Sequence, residues 1–339
     1  MRFAICGAAV LTALSIPAGS AFALNILLCN DDGVTAANVR ALKQQLIAAG
    51  HSAIVASPID NQSGTGGYIR FLQPIPALTG NERGAKALQL PAGTLGVGTD
   101  PSDADAHYVN GTPSTACLYG IDVLASKRWG GAPDLVISGP NEGNNTGHIN
   151  NSSGTFNAML YAVNRRLPAI AVSDAVTAQV TWSPGLPAGS RAFEVASIVV
   201  RLVDALSSQG RHRRGPVLPE GLGLNVNVPN FAAGAGVSLP WRITHVGFAT
   251  AYAPAFYERL SDSPLAVASG VNYQLPGISL ATAGTVLPSG VVIPTDTSSS
   301  SEGNAVATGT VVTVSPVQGV PEASGAAIGR LRGLLAPPR

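Results

Sequence analysis

The chain has 339 residues, of which 45% are hydrophobic and 12% charged, enough apolar material for one large domain or two moderate ones. This composition excludes a disordered protein. The formal net charge is +1, with no basic block beyond residues 211–214, which argues against a nucleic-acid polymer as partner and favours a small substrate.

The first 23 residues have the pattern of a secretory signal peptide. Arg2 supplies the positive charge, residues 3–16 are apolar, and an Ala-Phe-Ala cleavage signal ends at Ala23. An uncleaved anchor is the alternative, but the apolar run is shorter than the ~20 residues that span a bilayer. We therefore expect a mature chain that starts near Leu24, is periplasmic or secreted, and has no membrane contact after cleavage.

Cleavage would remove Cys6 and leave Cys29 and Cys117. Two cysteines are too few for a disulfide-dense scaffold. The sequence leaves open whether they pair.

The stretch at residues 26–33 is the strongest local signal. An apolar run ends abruptly in Asn-Asp-Asp-Gly, which is typical of a buried parallel strand that carries Asp31 and Asp32 to the carboxyl edge of a sheet. Adjacent carboxylates repel each other unless a cation lies between them. The alternative is an ordinary turn rich in Asx residues, which is common after strands.

Alternating apolar patterns predict an α/β fold. A helix over residues 39–47 and a strand at 53–56 complete a βαβ unit, and further buried strands are predicted at 135–139 and 169–173. Residues 72–105 suggest small strands or a surface excursion, and residues 305–316 a late strand. We predict a Rossmann-like, mostly parallel sheet with helices on both faces, plus a mixed C-terminal extension with β-hairpins. The predicted segments are a signal peptide (1–23), a core (24–175), the extension (176–330) and a frayed tail (331–339).

Two polar loops are predicted at the same edge of the sheet as Asp31 and Asp32. The loop at residues 59–67 follows the second strand and carries Ser63, whereas residues 140–148 follow a later strand and include Asn141 and Asn145. Ser153, Gly154 and Thr155 then open an apolar helix. Free N–H groups at a helix start attract anions, so these residues predict an anion site.

Taken together, these motifs resemble the SurE (survival protein E) family of metal-dependent nucleotidases and phosphatases. The resemblance covers most of the mature chain and rests on the order and spacing of residues 30–33, 61–64, 110–113, 138–145, 153–155, 225–229 and 309–316. The chain departs from the family's pattern at Glu302, where an Asp is usual.

The resemblance implies a role for each matching residue. The metal ligands would be Asp31, Asp32, Ser63 and Asn141, which hold one divalent cation per subunit, Mg²⁺ or Mn²⁺. Oxygen ligands without His or Cys independently favour these two metals over Zn²⁺. The catalytic residues would be Asp31, Asp32 and Asn145, and the phosphate would be bound by Asn145, Ser153, Gly154 and Thr155.

The sequence therefore predicts an exported phosphomonoesterase, of 5'/3'-nucleotidase or acid phosphatase type, that hydrolyses nucleoside monophosphates or related small esters with a metal-activated water. The family resemblance also implies a homo-oligomer, a dimer or tetramer. One alternative is a periplasmic binding protein that captures phosphorylated ligands without turnover. A dinucleotide-dependent oxidoreductase is disfavoured, because no Gly-x-Gly-x-x-Gly follows the first strand.

Overall fold

The computed structural model describes residues 23–213 and 216–320. The predicted tail, and all of the predicted signal peptide except Ala23, lie outside the described residues.

The strands and helices alternate through the first half of the chain and give way to a strand-rich second half. The strands are β1 (Asn25–Cys29), β2 (Ser52–Pro58), β3 (Val97–Asp100), β4 (Asp103–Val109), β5 (Leu135–Glu142), β6 (Ala169–Asp174), β7 (Leu222–Val228), β8 (Trp241–Ile243), β9 (Tyr252–Tyr257), β10 (Gly277–Thr282) and β11 (Val312–Gln318). The α-helices are α1 (Ala37–Ala48), α2 (Arg83–Ala87), α3 (Pro113–Tyr119), α4 (Ala125–Trp129), α5 (Gly154–Asn164), α6 (Arg191–Arg213), α7 (Pro264–Ala268) and α8 (Glu302–Val306).

Within the described residues, nine strands form one sheet in the order β3-β4-β2-β1-β5-β6-β7-β11-β8. The six central strands, from β4 to β7 in sheet order, are parallel to one another, whereas β3 pairs with β4 and β11 pairs with β7 in antiparallel fashion. The chain moves outward from β1 to β2 on one side, and later returns to place β5 on the other side of β1. The carboxyl ends of β1 and β5 therefore form a topological switch point, the usual ligand position in such sheets.

Helices cover both faces of this sheet, which confirms the predicted fold class. Side chains alternate along β1: Ile26 and Leu28 pack with α1 and α6, whereas Leu27 and Cys29 pack with α3 and α5. The sheet continues without a break from the predicted core into the extension. The extension also contains the predicted hairpin as a separate antiparallel pair, β9 and β10.

Cys29 and Cys117 form a disulfide with a Cα–Cα distance of 5.4 Å, which answers the question that the sequence left open. The bridge joins the end of β1 to α3 across 88 residues. In the chain-entropy model, a loop of this length stabilises the fold by about 4 to 5 kcal/mol.

Residues 72–105 contain short strands, one of the two possibilities that the sequence left open: β3 lies within this segment and β4 begins at Asp103. Arg40 and Lys43 of α1 neutralise Asp103 at the acidic start of β4. A later segment differs from the sequence prediction. The predicted strand at 305–316 begins only at Val312, because residues 302–306 form α8.

None of the helices within the described ranges combines the length and the apolar character that crossing a bilayer requires.

A buried ion pair joins α1 to the β3–β4 edge and generates a stability prediction. Arg40, 4% exposed, lies 2.9 Å from the carboxylate of Asp100, which is 3% exposed. Arg40→Ala leaves that buried acid without its cation, so we expect the free energy of unfolding to fall by about 3 to 5 kcal/mol.

The matched control is Arg128→Ala, because Arg128 pairs with Asp105 but is 52% exposed. An exposed pair contributes about 0 to 1 kcal/mol. Denaturant unfolding of both variants measures the difference in the free energy of unfolding. Equal losses in the two variants would show that burial does not make the Arg40–Asp100 pair more stabilising than an exposed pair.

Candidate active site

Asn30 shapes the turn that follows β1. Its side chain is buried, donates to the carbonyl of Gly33 at 3.0 Å and accepts the Gly33 N–H at 3.3 Å. Gly33 has a φ of 106°, a backbone conformation that residues other than glycine adopt only with strain. The chain therefore turns sharply and leaves Asp31 and Asp32 at the switch point.

Asp31 is buried against the start of α5. Its carboxylate accepts the Thr155 hydroxyl, and a Cβ added at Gly154 would lie 2.9 Å from the Asp31 Cβ. Burial raises the pKa of Asp31, while the Thr155 hydroxyl and the N–H groups of Thr155 and Gly154 oppose that rise. The helix start therefore stabilises the ionised form of Asp31.

Asp32 faces a different set of partners. Its carboxylate accepts the Glu142 N–H at 3.0 Å and the Asn61 side-chain amide at 3.4 Å. Burial raises the pKa of Asp32 well above its ordinary value, and the charges of Asp31 and Glu142 raise it further. Burial and neighbouring acids at the end of β1 thus disfavour the ionised form of Asp32.

Ser63 and Asn141 bring neutral oxygens to the cavity that Asp31 lines, whereas Asp32 lines a small neighbouring pocket with Asn61 and Glu142. The Ser63 N–H donates to the Asn61 side chain at 2.9 Å, which fixes the loop, and its exposed side chain lines the same cavity as Asp31 and Asn141. The Asn141 amide nitrogen donates to the Gly143 carbonyl at 2.6 Å, whereas its Oδ1 is buried without a hydrogen-bond partner. A buried carbonyl oxygen without a partner is costly unless it meets a donor or a cation.

These residues fit a divalent cation. The set offers two carboxylates and an unpartnered amide oxygen, the hard ligands that Mg²⁺ and Mn²⁺ prefer. Within residues 23–213 and 216–320, no group of three or more His, Cys, Asp or Glu side chains could hold a metal by itself. A site here therefore depends on Asn141 and Ser63 as well as on the two acids.

The predicted phosphate residues fall into two groups. Asn145 and Ser153 line the cavity, whereas Gly154 and Thr155 are not among its lining residues. The Ser153 hydroxyl accepts the Phe156 N–H at 3.0 Å and caps α5, and the Asn145 amide donates to Ser173 at 2.9 Å. Because the Thr155 hydroxyl donates to Asp31, its direct contact with a phosphate stays a prediction.

The cavity, of about 820 Å³, extends from the metal-type site into the C-terminal extension. Its second wall comes from β9, β10, α8 and the loops beside them, which the sequence patterns did not connect with the site. In the sequence, the apolar, β-forming character of these segments predicted hairpins. It did not predict which surface of the protein the hairpins would face.

Glu302 connects the extension to the cavity loop. Its fully buried carboxylate accepts the Gly147 N–H at 3.2 Å and the side-chain amides of Asn150 and Asn225 at 3.0 Å. Burial raises the pKa of Glu302 to about 7, although donors including Ser315, Asn150, Asn225 and the Gly147 N–H oppose the shift. Asn225 also donates to the backbone carbonyl of Asn145 at 3.0 Å, so the network supports the cavity residue directly.

The fold and the site define a doubly wound α/β protein with an oxygen-ligand site at its switch point. Residues 26–253 match the family model described as Survival protein SurE, and the chain belongs to that family. This match confirms the resemblance on which the sequence prediction rested.

Curated relatives carry two kinds of name. The chain is 35% identical over 208 residues to an "Acid phosphatase" of Yarrowia lipolytica, with 60% of this chain and 56% of that protein aligned. It is 34% identical over 206 residues to the "5'-nucleotidase SurE" of Gloeobacter violaceus, with 61% and 64% aligned. The chain thus spans less than two thirds of the length of both relatives.

A solved structure, the SurE protein from Aquifex aeolicus, has the same fold. The TM-score is 0.60 at 22% sequence identity, and the superposition covers 91% of this chain and 98% of that one.

The raised pKa of Glu302 generates a prediction about pH and stability. Because the folded-state pKa lies near 7 and the ordinary value is 4.5, folding favours the protonated acid. This contribution is fully present below pH 4.5 and is lost as the pH rises through 7. Glu302→Gln removes the titration, so the stability of the wild type relative to this variant should fall by about 1 to 3 kcal/mol between pH 4.5 and pH 8.

Denaturant unfolding at several pH values measures this change, and Glu258→Gln is the control because Glu258 is exposed. A constant difference between wild type and Glu302→Gln across this range would contradict the prediction.

Proposed function

We propose that the chain is a metal-dependent phosphomonoesterase that hydrolyses nucleoside monophosphates or similar small phosphate esters. The observation that carries the proposal is the unpartnered Oδ1 of Asn141, which lines one cavity together with Asp31 and Ser63. Membership in the SurE family supports the same reaction class, since relatives carry the names 5'-nucleotidase and acid phosphatase.

Asp31, Asp32, Ser63 and Asn141 would hold one Mg²⁺ or Mn²⁺ ion. When bound, the cation would neutralise charge on the phosphate oxygens and activate the attacking water. Phosphoryl transfer depends mainly on such positioning and charge neutralisation.

The residues of this chain position and polarise the site. The Thr155 hydroxyl and the first N–H groups of α5 favour the ionised form of Asp31 and so oppose the effect of burial, and the Glu142 N–H donates to Asp32. Asn145 and Ser153 reach the cavity beside them and would contact the phosphate. We assign Thr155 to the positioning of Asp31 and not to a direct contact with substrate.

Asp32→Asn tests the metal site. The change keeps the shape of the side chain but removes a charge, so we expect weaker Mn²⁺ binding and a fall in kcat of about 10²- to 10³-fold. The control is Asp134→Asn, because Asp134 is exposed and accepts the backbone N–H of Asn25 at the start of β1, at the opposite edge of the sheet.

Calorimetric Mn²⁺ titration and phosphate release from a nucleotide panel, with and without metal, give the two readouts. Tight nucleotide binding without phosphate release would favour a periplasmic binding protein instead. If Asp32→Asn binds Mn²⁺ as tightly as wild type and still releases phosphate, the proposed metal site is wrong.

Calorimetric Mn²⁺ titration of Thr155→Val distinguishes two possible roles of Thr155, the positioning of Asp31 and a direct contact with the phosphate. Loss of the hydroxyl should raise the pKa of Asp31 and weaken Mn²⁺ binding at neutral pH, because the hydroxyl favours the ionised carboxylate. A direct phosphate contact would instead leave metal affinity unchanged and cost about 1 to 3 kcal/mol in transition-state binding.

We further propose that the protein is exported to the periplasm or secreted, from the pattern of its first 23 residues. A disulfide between Cys29 and Cys117 is in keeping with an oxidising compartment. Mass spectrometry of the protein from its native host should find a mature N-terminus near Leu24, and an intact Met1 would contradict export by cleavage.

A homo-oligomer is proposed as well. Phe256 and Ile278 are exposed partners in the register of the β9–β10 hairpin, and exposed apolar side chains that lie side by side favour burial against a second copy. Light scattering of the purified protein should give a mass of two or four chains, and a monomer would reject the proposal.

A further inference from the structure

Asn145 is held at its backbone as well as at its side chain. Its N–H donates to the Asn227 side chain at 3.0 Å, and its carbonyl accepts the side-chain amides of Asn225 and Asn227, each at 3.0 Å. Both asparagines are fully buried on β7. Because β7 binds the N–H and the carbonyl of Asn145, the position of this residue in the cavity wall depends on the orientation of two side-chain amides.

The orientation of the Asn225 amide depends on Glu302. The Asn225 Nδ2 lies 3.0 Å from each carboxylate oxygen of Glu302 and 3.0 Å from the Asn145 carbonyl. By contrast, the Asn225 Oδ1 is buried and has no hydrogen-bond partner within the described residues. Only the nitrogen end of this amide therefore meets partners, and an ionised carboxylate is the stronger of its two acceptors.

A protonated Glu302 would present a donor to the same amide. The side chain of Asn225 can accept from that donor only through Oδ1, and turning the amide to do so withdraws its nitrogen from the Asn145 carbonyl. That carbonyl would then keep only one of the two amides that hold it. Ionisation of Glu302 is thereby linked to the position of a residue that would contact the phosphate.

The segments around Glu302 carry their own titratable side chains, which have to be separated from it. β7 and β11, which pack against α8, carry none. His148 belongs to the loop that donates to Glu302. His245 and Asp296 hydrogen-bond the hydroxyl of Ser301, one residue earlier. These three groups are the same in wild type and in variants of Glu302, so the ratio between the two isolates the titration of Glu302.

We propose that Glu302 is a positioning residue for the phosphate: in its ionised form it orients the Asn225 amide, and this amide holds Asn145 in the cavity wall. The inference rests on the proposed function and adds a residue to it. Glu302 does not line the cavity, and its hydrogen-bond partners include none of the four proposed metal ligands, so it acts through Asn225. A buried acid at this place is then a cost in stability that serves the site.

Glu302→Gln tests the link, with a nucleoside monophosphate as substrate and Mn²⁺ present. The change keeps the size of the side chain, but it removes the titration and places an amide nitrogen opposite the Asn225 Nδ2. We expect kcat/KM at pH 8 to fall about fivefold or more relative to wild type. At pH 5.5 the two proteins should agree within about twofold, because Glu302 of the wild type is then protonated as well. Glu258→Gln is the control, because Glu258 is exposed, and it should match wild type at both pH values.

Asn225→Ala removes the residue through which Glu302 acts. The loss in kcat/KM relative to wild type should again be present at pH 8 and small at pH 5.5. A double variant that combines Asn225→Ala with Glu302→Gln should lose no more at pH 8 than the single variants, because both changes break the same contact.

A loss that is equal at both pH values, or losses that add in the double variant, would overturn the role of Glu302 and leave the proposed function in place. Weaker Mn²⁺ binding by Glu302→Gln would overturn it as well, since the whole site would then be loosened. Melting temperatures show whether the variants are folded, and if one single variant is not, the pH dependence of the other decides. Failure of the wild type to release phosphate from any monoester would reject the proposed function, and this inference with it.

Discussion

Two adjacent carboxylates at the end of β1, Asp31 buried and Asp32 half-buried, are the constraint on which the site depends. Burial raises the pKa of both Asp31 and Asp32, and the charge of Asp31 raises that of Asp32 further. Their hydrogen-bond partners in the described part of the chain are neutral: the Thr155 hydroxyl, backbone N–H groups and the Asn61 amide. Neutral donors reduce the free-energy cost of placing two carboxylates side by side, but they do not cancel the charge of the carboxylates. A bound divalent cation would cancel it.

The surroundings fix Asp31 from several directions. The disulfide ties Cys29, two residues earlier, to α3. From the other side, Gly154 allows the start of α5 to approach, because a Cβ there would lie 2.6 Å from Pro113 and 2.9 Å from Asp31. The carboxylate is therefore held by a strand end, a covalent bridge and a helix start. Such restraint is what a site needs if it is to keep its ligands in position without reorganising.

The sequence predicted the parts of this arrangement that are encoded locally. Buried strands such as β1 and β5 are continuous apolar runs, and the carboxyl ends of parallel strands meet at one edge of the sheet. The sequence alone therefore predicted that Asp31, Ser63 and Asn141 lie close together. The direction of the Thr155 hydroxyl was not predictable in this way. Spacing places Thr155 at the helix start, but only packing decides that its hydroxyl donates to Asp31.

The missed features depend on contacts between distant parts of the chain. The sequence did not decide between small strands and a surface excursion at residues 72–105, because Arg40 and Lys43, which lie beside Asp103 at the start of β4, belong to the distant helix α1. Similarly, Glu302 is a buried acid, and three of its partners, Asn225, Gly147 and Asn150, lie more than 70 residues away. No local pattern marks such an acid as buried, since isolated Glu residues are usually exposed.

Glu302 also explains why the extension and the core act as one unit at the cavity. Its carboxylate joins α8 to the loop at residues 147–150 and, through Asn225, to the backbone of Asn145. By contrast, Ile278 lines the same cavity from an exposed position on β10, where a substitution changes few buried contacts. The buried network therefore fixes the side of the cavity at Asn145, whereas the hairpin side at Ile278 is held by fewer buried contacts. Substitutions in the cavity wall are accordingly least costly to stability on the hairpin and most costly near Glu302.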